Sequence, residues 1–382
     1  MTTSDTPRIA VVGAGPGGLT CARILQRAGI PVTVYEHDTA RDSRDQGGTL
    51  DMQTATGQAA LRAAGLLERF SAIARPEGQD TRALDKHATV LAEHVTGPDE
   101  HDSPEIDRAD LRALLLDSLE PGTVRFGKTL DHVEPLGRGV HELRFRDGGT
   151  ATTDLLVGAD GAWSRVRPLV SPAQPFYEGV LFIEIRFDDV DRKHPRIAEL
   201  VGRGGMFAMQ DEKALIAQRQ SRDRIRAYVA FRADQGWANG LGAAAIRASL
   251  LEMFADWSPR LLALLTDCDD VFLPRPIHAL PVPHTWNTRA GVTILGDAAH
   301  LMSPFSGLGA NTAMLDGADL AGAVIGSADL LTALSDYEAV MLPRAAANAA
   351  DSHEALHSAI AAGTPDLDHM FDDDIRAAAV PS

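Results

Sequence analysis

Cysteine is almost missing from this chain: 382 residues hold only Cys21 and Cys268, with no C-x-x-C pair. That excludes a disulfide framework and suits a reducing cytosol. Positive charge is also short, with 36 Lys and Arg against 53 Asp and Glu and a formal net charge of −17. Such a balance argues against a protein that coats phosphate backbones, so no nucleic-acid partner is expected; only a local basic groove could offset it. No stretch reaches the ~18 uninterrupted apolar residues of a membrane span. The opening "MTTSDTPR" lacks the charged-then-apolar shape of a secretory signal. No membrane partner is expected, and the expected location is cytoplasmic. Internal repeats and low-complexity tracts are absent as well. What is present is a globular composition, 45% hydrophobic, in a chain long enough for more than one compact unit.

The informative stretches are glycine-rich bends that follow apolar runs. "RIAVVGAGPGGLTCARILQRAGIPVTVYEHD" opens with a short strand of buried type, Ile9 to Val12. Gly13, Gly15 and Gly18 then form G-x-G-x-x-G, and Leu19, Ala22, Leu25 and Ala28 recur at helical spacing until Gly29. A second strand ends in Glu36. In this pattern the first glycine makes the tight turn, the second lets backbone approach a pyrophosphate, and the third lets helix pack on strand. The helix start offers free N–H groups and a positive dipole end. Glu36 stands where an acid accepts bonds from an adenosine ribose. A carboxylate there fits NAD or FAD and repels a free 2′-phosphate.

Further along, "ARDSRDQGGTLDMQTATGQAALRAAGLLERF" reads as a polar loop and then a helix from about residue 56 to 70, and residues 75 to 104 are mixed and polar. "SPEIDRADLRALLLDSLEPG" predicts a helix capped by Asp107, with Leu111, Leu114, Leu115 and Leu119 on one face. Arg108 and Arg112 are four apart and can reach the same side; by spacing alone they could equally be two solvated arginines. "TLDHVEPL", "HELRFRD" and "TTDLLVGADG" read as strands, the last running into Asp160-Gly161 and a helical "WSRVRPLV". Residues 179 to 231 read as an antiparallel sheet interrupting the first domain. "AAAIRASLLEMFADW" and "PRLLALL" follow as helices, "FLPRPIHALPVP" as an extended return, and from Gly309 to about residue 362 helix dominates. Between them, "ILGDAAHLMSPFSGLGAN" ends an apolar run on Gly296-Asp297 and enters a Pro- and Gly-rich bend.

The three signatures GAGPGG, GADGAWSRVR and GDAAHLMSPFSGLGAN, in that order over nearly the whole chain, resemble the FAD-dependent aromatic hydroxylases, the single-component group A flavin monooxygenases. "QGGTLDM" and "PEIDRADLRALLLDSL", with the third signature, are similar to the tetracycline-inactivating flavin monooxygenases. The resemblance implies an α/β fold: a Rossmann-like FAD-binding domain, an inserted β-sheet substrate domain and a C-terminal bridging helix. The FAD-binding domain would comprise 1–74, 103–172 and 277–330, the substrate domain 75–102 and 173–276, and the helix and tail 331–382.

It also implies roles. Gly13, Gly15 and Gly18 would cradle the FAD pyrophosphate, Glu36 the adenosine ribose, and Asp297 the hydroxyls of the flavin side. Pro304, Gly307 and Gly309 would let backbone pass close to the isoalloxazine, and the helix start at Leu308, Gly309, Ala310 and Asn311 would aim its positive end at the flavin pyrimidine. Asp51, Arg108 and Arg112 resemble further FAD contacts, Arg44 an NADPH contact, and Asp160 a residue linked to both. Where the tetracycline-inactivating relatives carry Gln, Arg and His, this chain aligns Glu184, Met206 and Arg226, changing both charge and hydrogen-bond inventory. Pro304, Phe305 and Gly307 match the substrate-side loop. The implied reaction has NADPH reduce FAD, O₂ add as a C4a-hydroperoxide, and one oxygen pass to a polycyclic phenol or enol, tetracycline or a related polyketide. The cofactor carries the chemistry, so no obligatory side-chain acid or base is expected. The expected partners are that substrate and O₂, and a monomer is expected.

Other signals are set aside. "HEALH" at His353, Glu354 and His357 matches the zinc-hydrolase helix motif, but no downstream Glu offers a third ligand and Asp366 or Asp368 follow too soon, so no metal is expected. His87, His94 and His101 recur every seven residues in a loop-like stretch, which reads as coincidence. Trp163 and Trp257 read as core or cap residues, and the Leu- and Ala-rich face at 318–334 as helix packing. No W-x-W-x-I-P segment supports a flavin halogenase. The competing functions are a flavin-binding protein that sequesters its ligand without turnover and a zinc hydrolase.

Overall fold

The runs Ile9–Val12, Val32–Tyr35 and Leu155–Gly158 bury almost every side chain on both faces, as strands of a covered parallel sheet must. In the computed structural model, which describes residues 6–43 and 45–363, they pair in parallel. Val292–Ile294 and the short Val124–Arg125 complete five strands, with Ile9–Val12 at the centre. Helix Pro16–Arg27 makes the first crossover and buries Leu19, Cys21, Ala22 and Leu25. Burial pushes the Cys21 thiol up to about 12, which makes it a core residue and not a nucleophile.

A seven-stranded sheet carries the second half of the fold. Its order is Leu273–Ala279, Phe176–Asp188, Arg224–Arg232, Lys213–Gln220, Gly205–Gln210, Thr81–Leu84, Val90–His94. Alternation sorts its faces. Leu181, Ile183, Ile185 and Phe187 join Ile225, Val229 and Phe231 in a core under helices Ala243–Met253 and Pro259–Thr266. Phe182, Phe207, Tyr228 and Ala230 face the other way and meet Phe305, Leu356 and Ile360.

Two long helices, Leu308–Gly326 and Leu330–Ala359, finish the described chain. The first crosses Pro16–Arg27 backbone to backbone: a Cβ on Gly17 would lie 2.4 Å from the Ala313 carbonyl oxygen, and one on Gly317 would lie 2.3 Å from that of Gly17. The second is pinned by buried Glu338, whose carboxylate accepts from Trp286, Thr288 and Thr293 at 3.0, 2.6 and 2.8 Å.

Several local expectations change. The helix at 56–70 is two, Gly57–Ala63 and Leu67–Ser71, broken at Gly65 with φ 68°. "WSRVRPLV" holds only the 3-10 turn Arg167–Leu169, because the Asp160 carboxylate gathers the Ser164 hydroxyl and the Arg165 and Val166 N–H groups into a tight bend. Asp107 occupies its N-cap position without capping; its carboxylate accepts from Ser221 and Arg224 of the large sheet instead. The stretch 75–104 contains two strands, Thr81–Leu84 and the sheet's edge strand Val90–His94, which is largely exposed. Strand Leu273–Ala279 crosses the expected boundary at 276. Trp257 is buried, but Trp163 is 66% exposed, edge-on to His278.

Candidate cofactor and substrate site

Parallel strands deliver their carboxyl ends to one edge, so the turns after Val12, Tyr35, Gly158 and Ile294 gather there. Gly13 leaves its strand at φ 106°, and a Cβ on it would stand 2.1 Å from the Ala159 carbonyl oxygen. Gly15 precedes helix Pro16–Arg27 with no side-chain cap, and a Cβ there would meet nothing within 4 Å. The first turn of that helix thus has no side-chain cap, and the space beside Gly15 at its positive end is open. Glu36 is 3% exposed; one carboxylate oxygen accepts the Ala14 N–H at 2.7 Å, the other the Asp38 N–H at 2.9 Å. A carboxylate has about four acceptor positions, so acceptor capacity remains for hydroxyl groups.

Arg112 is buried and donates to the carbonyls of Ala14 at 3.2 Å and Arg41 at 2.6 Å, clamping the turn. Arg108, a turn earlier, is exposed, so the two arginines do not share an environment. Arg44 lies outside the described residues. Asp160 is committed to its own bend, and burial raises its carboxyl despite the bonds it accepts. Asp297 is the exposed residue in a run otherwise buried from 292 to 300, and its carboxylate accepts no hydrogen bond from the described residues. Buried Arg167, which sequence reading overlooked, donates to the carbonyls of Ala298 and Ala162 at 2.7 Å and of Asp297 at 3.2 Å, tying the bends at 160 and 297 together.

Beyond Asp297, the turn Pro304–Ser306 leads to Gly307 in the left-handed region at φ 66°, and helix Leu308–Gly326 starts there without a side-chain cap. Pro304 is exposed; Phe305, Leu308, Gly309 and Ala310 are half-buried, and a Cβ on Gly309 would meet nothing within 4 Å. The Ser306 hydroxyl is buried with no hydrogen-bond partner among the described residues, another feature the sequence did not signal. Open space before two helix starts, an unengaged carboxylate and a stranded hydroxyl fit a long polar cofactor laid along the sheet edge, as FAD requires. The Asn311 side chain is engaged within the protein: its amide accepts from Gln53 and Gly57 N–H and donates to the Asp51 and Gly307 carbonyls, so it locks the helix start to the neighbouring strand. The Asp51 carboxylate lies 3.3 Å from where a Gly307 Cβ would be, under that helix start. Across the short strand pair it faces Glu105, which burial and then Asp51 push up to about 8.

The substrate-side expectations divide. Met206 is a correction: it is 1% exposed and points into the core on the far face of the large sheet, while Phe207 faces the nucleotide domain. A shift of one residue along a strand exchanges faces. Glu184 and Arg226 do face that domain, but as a pair. Arg226 Nη1 donates to Glu184 at 2.6 Å and Nη2 to Asp45 at 2.9 Å; Arg186 and Arg275 also reach Glu184, at 2.8 and 3.2 Å. They form an ion-pair cluster of three guanidinium groups on two carboxylates, with the Arg226 Nε–H left buried and unpaired among the described residues. Beside it the expected Phe305 meets Phe182 edge to face at 5.5 Å, and Phe182 meets Tyr228 at 5.8 Å; these last two rings were not predicted from sequence.

Comparison with known proteins agrees with this geometry. A family model described as an FAD binding domain matches residues 6–350. Monooxygenase penA of Penicillium thymicola is 32% identical, covering 90% of this chain and 93% of that protein. Klebsiella pneumoniae HpxO, solved with FAD and uric acid, superposes with a TM-score of 0.79 at 23% identity over 97% of this chain and 91% of that one. The tetracycline destructase Tet(55) superposes with a TM-score of 0.76 at 21% identity over 98% and 96%. At these identities the two structures speak for a shared fold, whereas the family match speaks for kinship. This chain belongs to the FAD binding domain family, of the group A aromatic hydroxylase type, and is an FAD-dependent monooxygenase.

Proposed function

We propose that this monooxygenase hydroxylates a polycyclic phenolic or enolic small molecule, with NADPH as reductant. The observation that carries the reading is the aromatic wall of Phe182, Phe305 and Tyr228, set against the loop that leads to Gly307. A flat fused-ring substrate packs on such a wall with a large apolar payload. Burial and then nearby Glu184 raise the Tyr228 phenol above its usual value, so its hydroxyl stays a donor for an enol or phenolate oxygen.

Bound FAD supplies the redox chemistry, taking a hydride and passing electrons to O₂. The chain's own part is positioning. The backbone at Gly13, Gly15 and Gly18 would hold the pyrophosphate, Glu36 the adenosine ribose, and Asp297 the ribityl hydroxyls. The N–H groups of Leu308, Gly309 and Ala310 would face the flavin pyrimidine, where a helix start stabilises negative charge. Arg112 acts through the turn that it clamps. Glu184 and Arg226 shape the wall's polar border.

The test incubates FAD-loaded protein with O₂, NADPH or NADH, and a panel of tetracyclines and other polycyclic phenols. Substrate-stimulated NADPH oxidation with a gain of one oxygen in product mass is expected. Tight binding of a panel member without stimulated oxidation would favour the sequestering alternative. Stimulation by single-ring phenols alone would sink the polycyclic assignment.

A further inference from the structure

We infer that Glu178, His353 and His357 form a binding site for a zinc-type divalent ion at the seam between the C-terminal helix and the large sheet. The histidines are four apart on Leu330–Ala359, and their ring centroids lie 4.3 Å apart. Sequence reading looked downstream for a third ligand, where Asp366 and Asp368 lie outside the described residues. The fold brings one from upstream. Strand Phe176–Asp188 sets Glu178 against both rings, Oε1 at 3.2 Å from His353 Nδ1 and Oε2 at 3.8 Å from His357 Nε2. One ligand atom from each residue lies within 4.8 Å of the other two. Tetrahedral zinc with bonds of about 2.0–2.2 Å needs ligand atoms about 3.3 Å apart, a spacing that small side-chain rotations reach.

Charge points the same way. The Glu178 side chain is 4% exposed, and a cation beside it would offset the cost of burying its charge. Arg232 Nη2 now lies 3.2 Å from His357 Nδ1; with an ion on Nε2 the ring proton would move to Nδ1 and Arg232 would turn toward Glu212, already 3.7 Å from its Nε. The side chains of His353 and His357 are 50% and 39% exposed, which leaves a path and a fourth position for water.

The position suggests a clasp and not a hydrolytic centre. Glu354, the base a zinc hydrolase would use, is exposed and outside the cluster. Ser352, next to His353, exchanges hydrogen bonds with Ser303 at 2.8 Å, immediately before Pro304. Phe182 lies four residues beyond Glu178 on the same strand. An ion here would fasten helix to sheet beside the aromatic wall.

FAD-loaded protein stripped with EDTA would be titrated with Zn²⁺ and, separately, with Co²⁺. One ion per chain, visible ligand-field bands for Co²⁺ and a rise in melting temperature are expected. Affinity should fall at least about tenfold in His353→Ala and in Glu178→Gln, and stay unchanged in the exposed control His87→Ala. His353 is half-exposed, so its variant keeps the test decisive if Glu178→Gln fails to fold. Absence of saturable binding to wild type, or equal binding by His353→Ala, overturns the assignment.

Discussion

Glu184 is 3% exposed and held by guanidinium groups from Arg186, Arg226 and Arg275. Removing one partner of a buried pair strands the other, at about 3–5 kcal/mol in general. Arg226→Ala is therefore expected to lower stability toward the smaller end of that range, because two arginines remain. Adding Glu184→Gln to it should recover part of the loss. A denaturant double-mutant cycle reads both; additive losses would show that the pair is not coupled. Neither the pairing nor two of the wall's three rings, Phe182 and Tyr228, were legible beforehand; only Phe305 was. The partners are far apart in sequence, and which strands neighbour each other is not written in either one. Met206 and Phe207 fail for a simpler reason. Both are apolar, so "GMFAMQ" carries no alternation to say which one faces the site. Gly13, Gly15, Gly18 and Glu36, by contrast, sit in one contiguous strand–turn–helix–strand, where spacing alone determines position.

Among the elements, the crossing of Pro16–Arg27 and Leu308–Gly326 holds two uncapped helix starts at fixed separation. Gly317→Ala would push a methyl group to 2.3 Å from the Gly17 carbonyl oxygen. Overpacking of this kind costs about 1–3 kcal/mol. A lower melting temperature and faster loss of FAD, followed by flavin fluorescence, are expected. Gly322→Ala in the same helix meets nothing within 4 Å and should be neutral or gain up to about 1 kcal/mol. Equal behaviour of the two variants would dismiss the crossing as a determinant. The sequence showed these helices but not their contact, since Gly17 reads as a spare residue within the glycine motif. Strands Thr81–Leu84 and Val90–His94 were hidden by their shortness and the polar residues around them, and the bend at Asp160 by the helical look of the residues after it.

For the molecule as a whole, buried Asp316 joins three parts. It accepts from the Gly296 N–H at 3.0 Å, from His300 Nε2 at 2.5 Å and from Arg344 of the C-terminal helix at 2.9 Å. Burial opposes the charged form of both His300 and Asp316, but their mutual attraction wins, raising the first and lowering the second. The His300 contribution is thus fully present below its unfolded value near 6.5 and lost as pH rises through the raised folded value. The Asp316 contribution is present above its unfolded value near 3.8 and lost as pH falls through the lowered folded value. His300→Gln should accordingly lose most stability relative to wild type between about pH 4.5 and 6, with the gap narrowing toward alkaline pH. Melting curves across pH measure this; a gap that widens with pH would refute it. The same helix that meets Asp316 is anchored near one end by Glu338 and near the other by Ser352, Leu356 and Ile360. An α-helix turns about 100° per residue. A single deletion between those anchors would swing the far end a quarter-turn off its seat while leaving every remaining side chain chemically intact. Besides Arg344 and its buried face, what that stretch encodes is a count: its exposed positions can drift, but its number of residues is a gauge that sets how the two halves of the enzyme are phased.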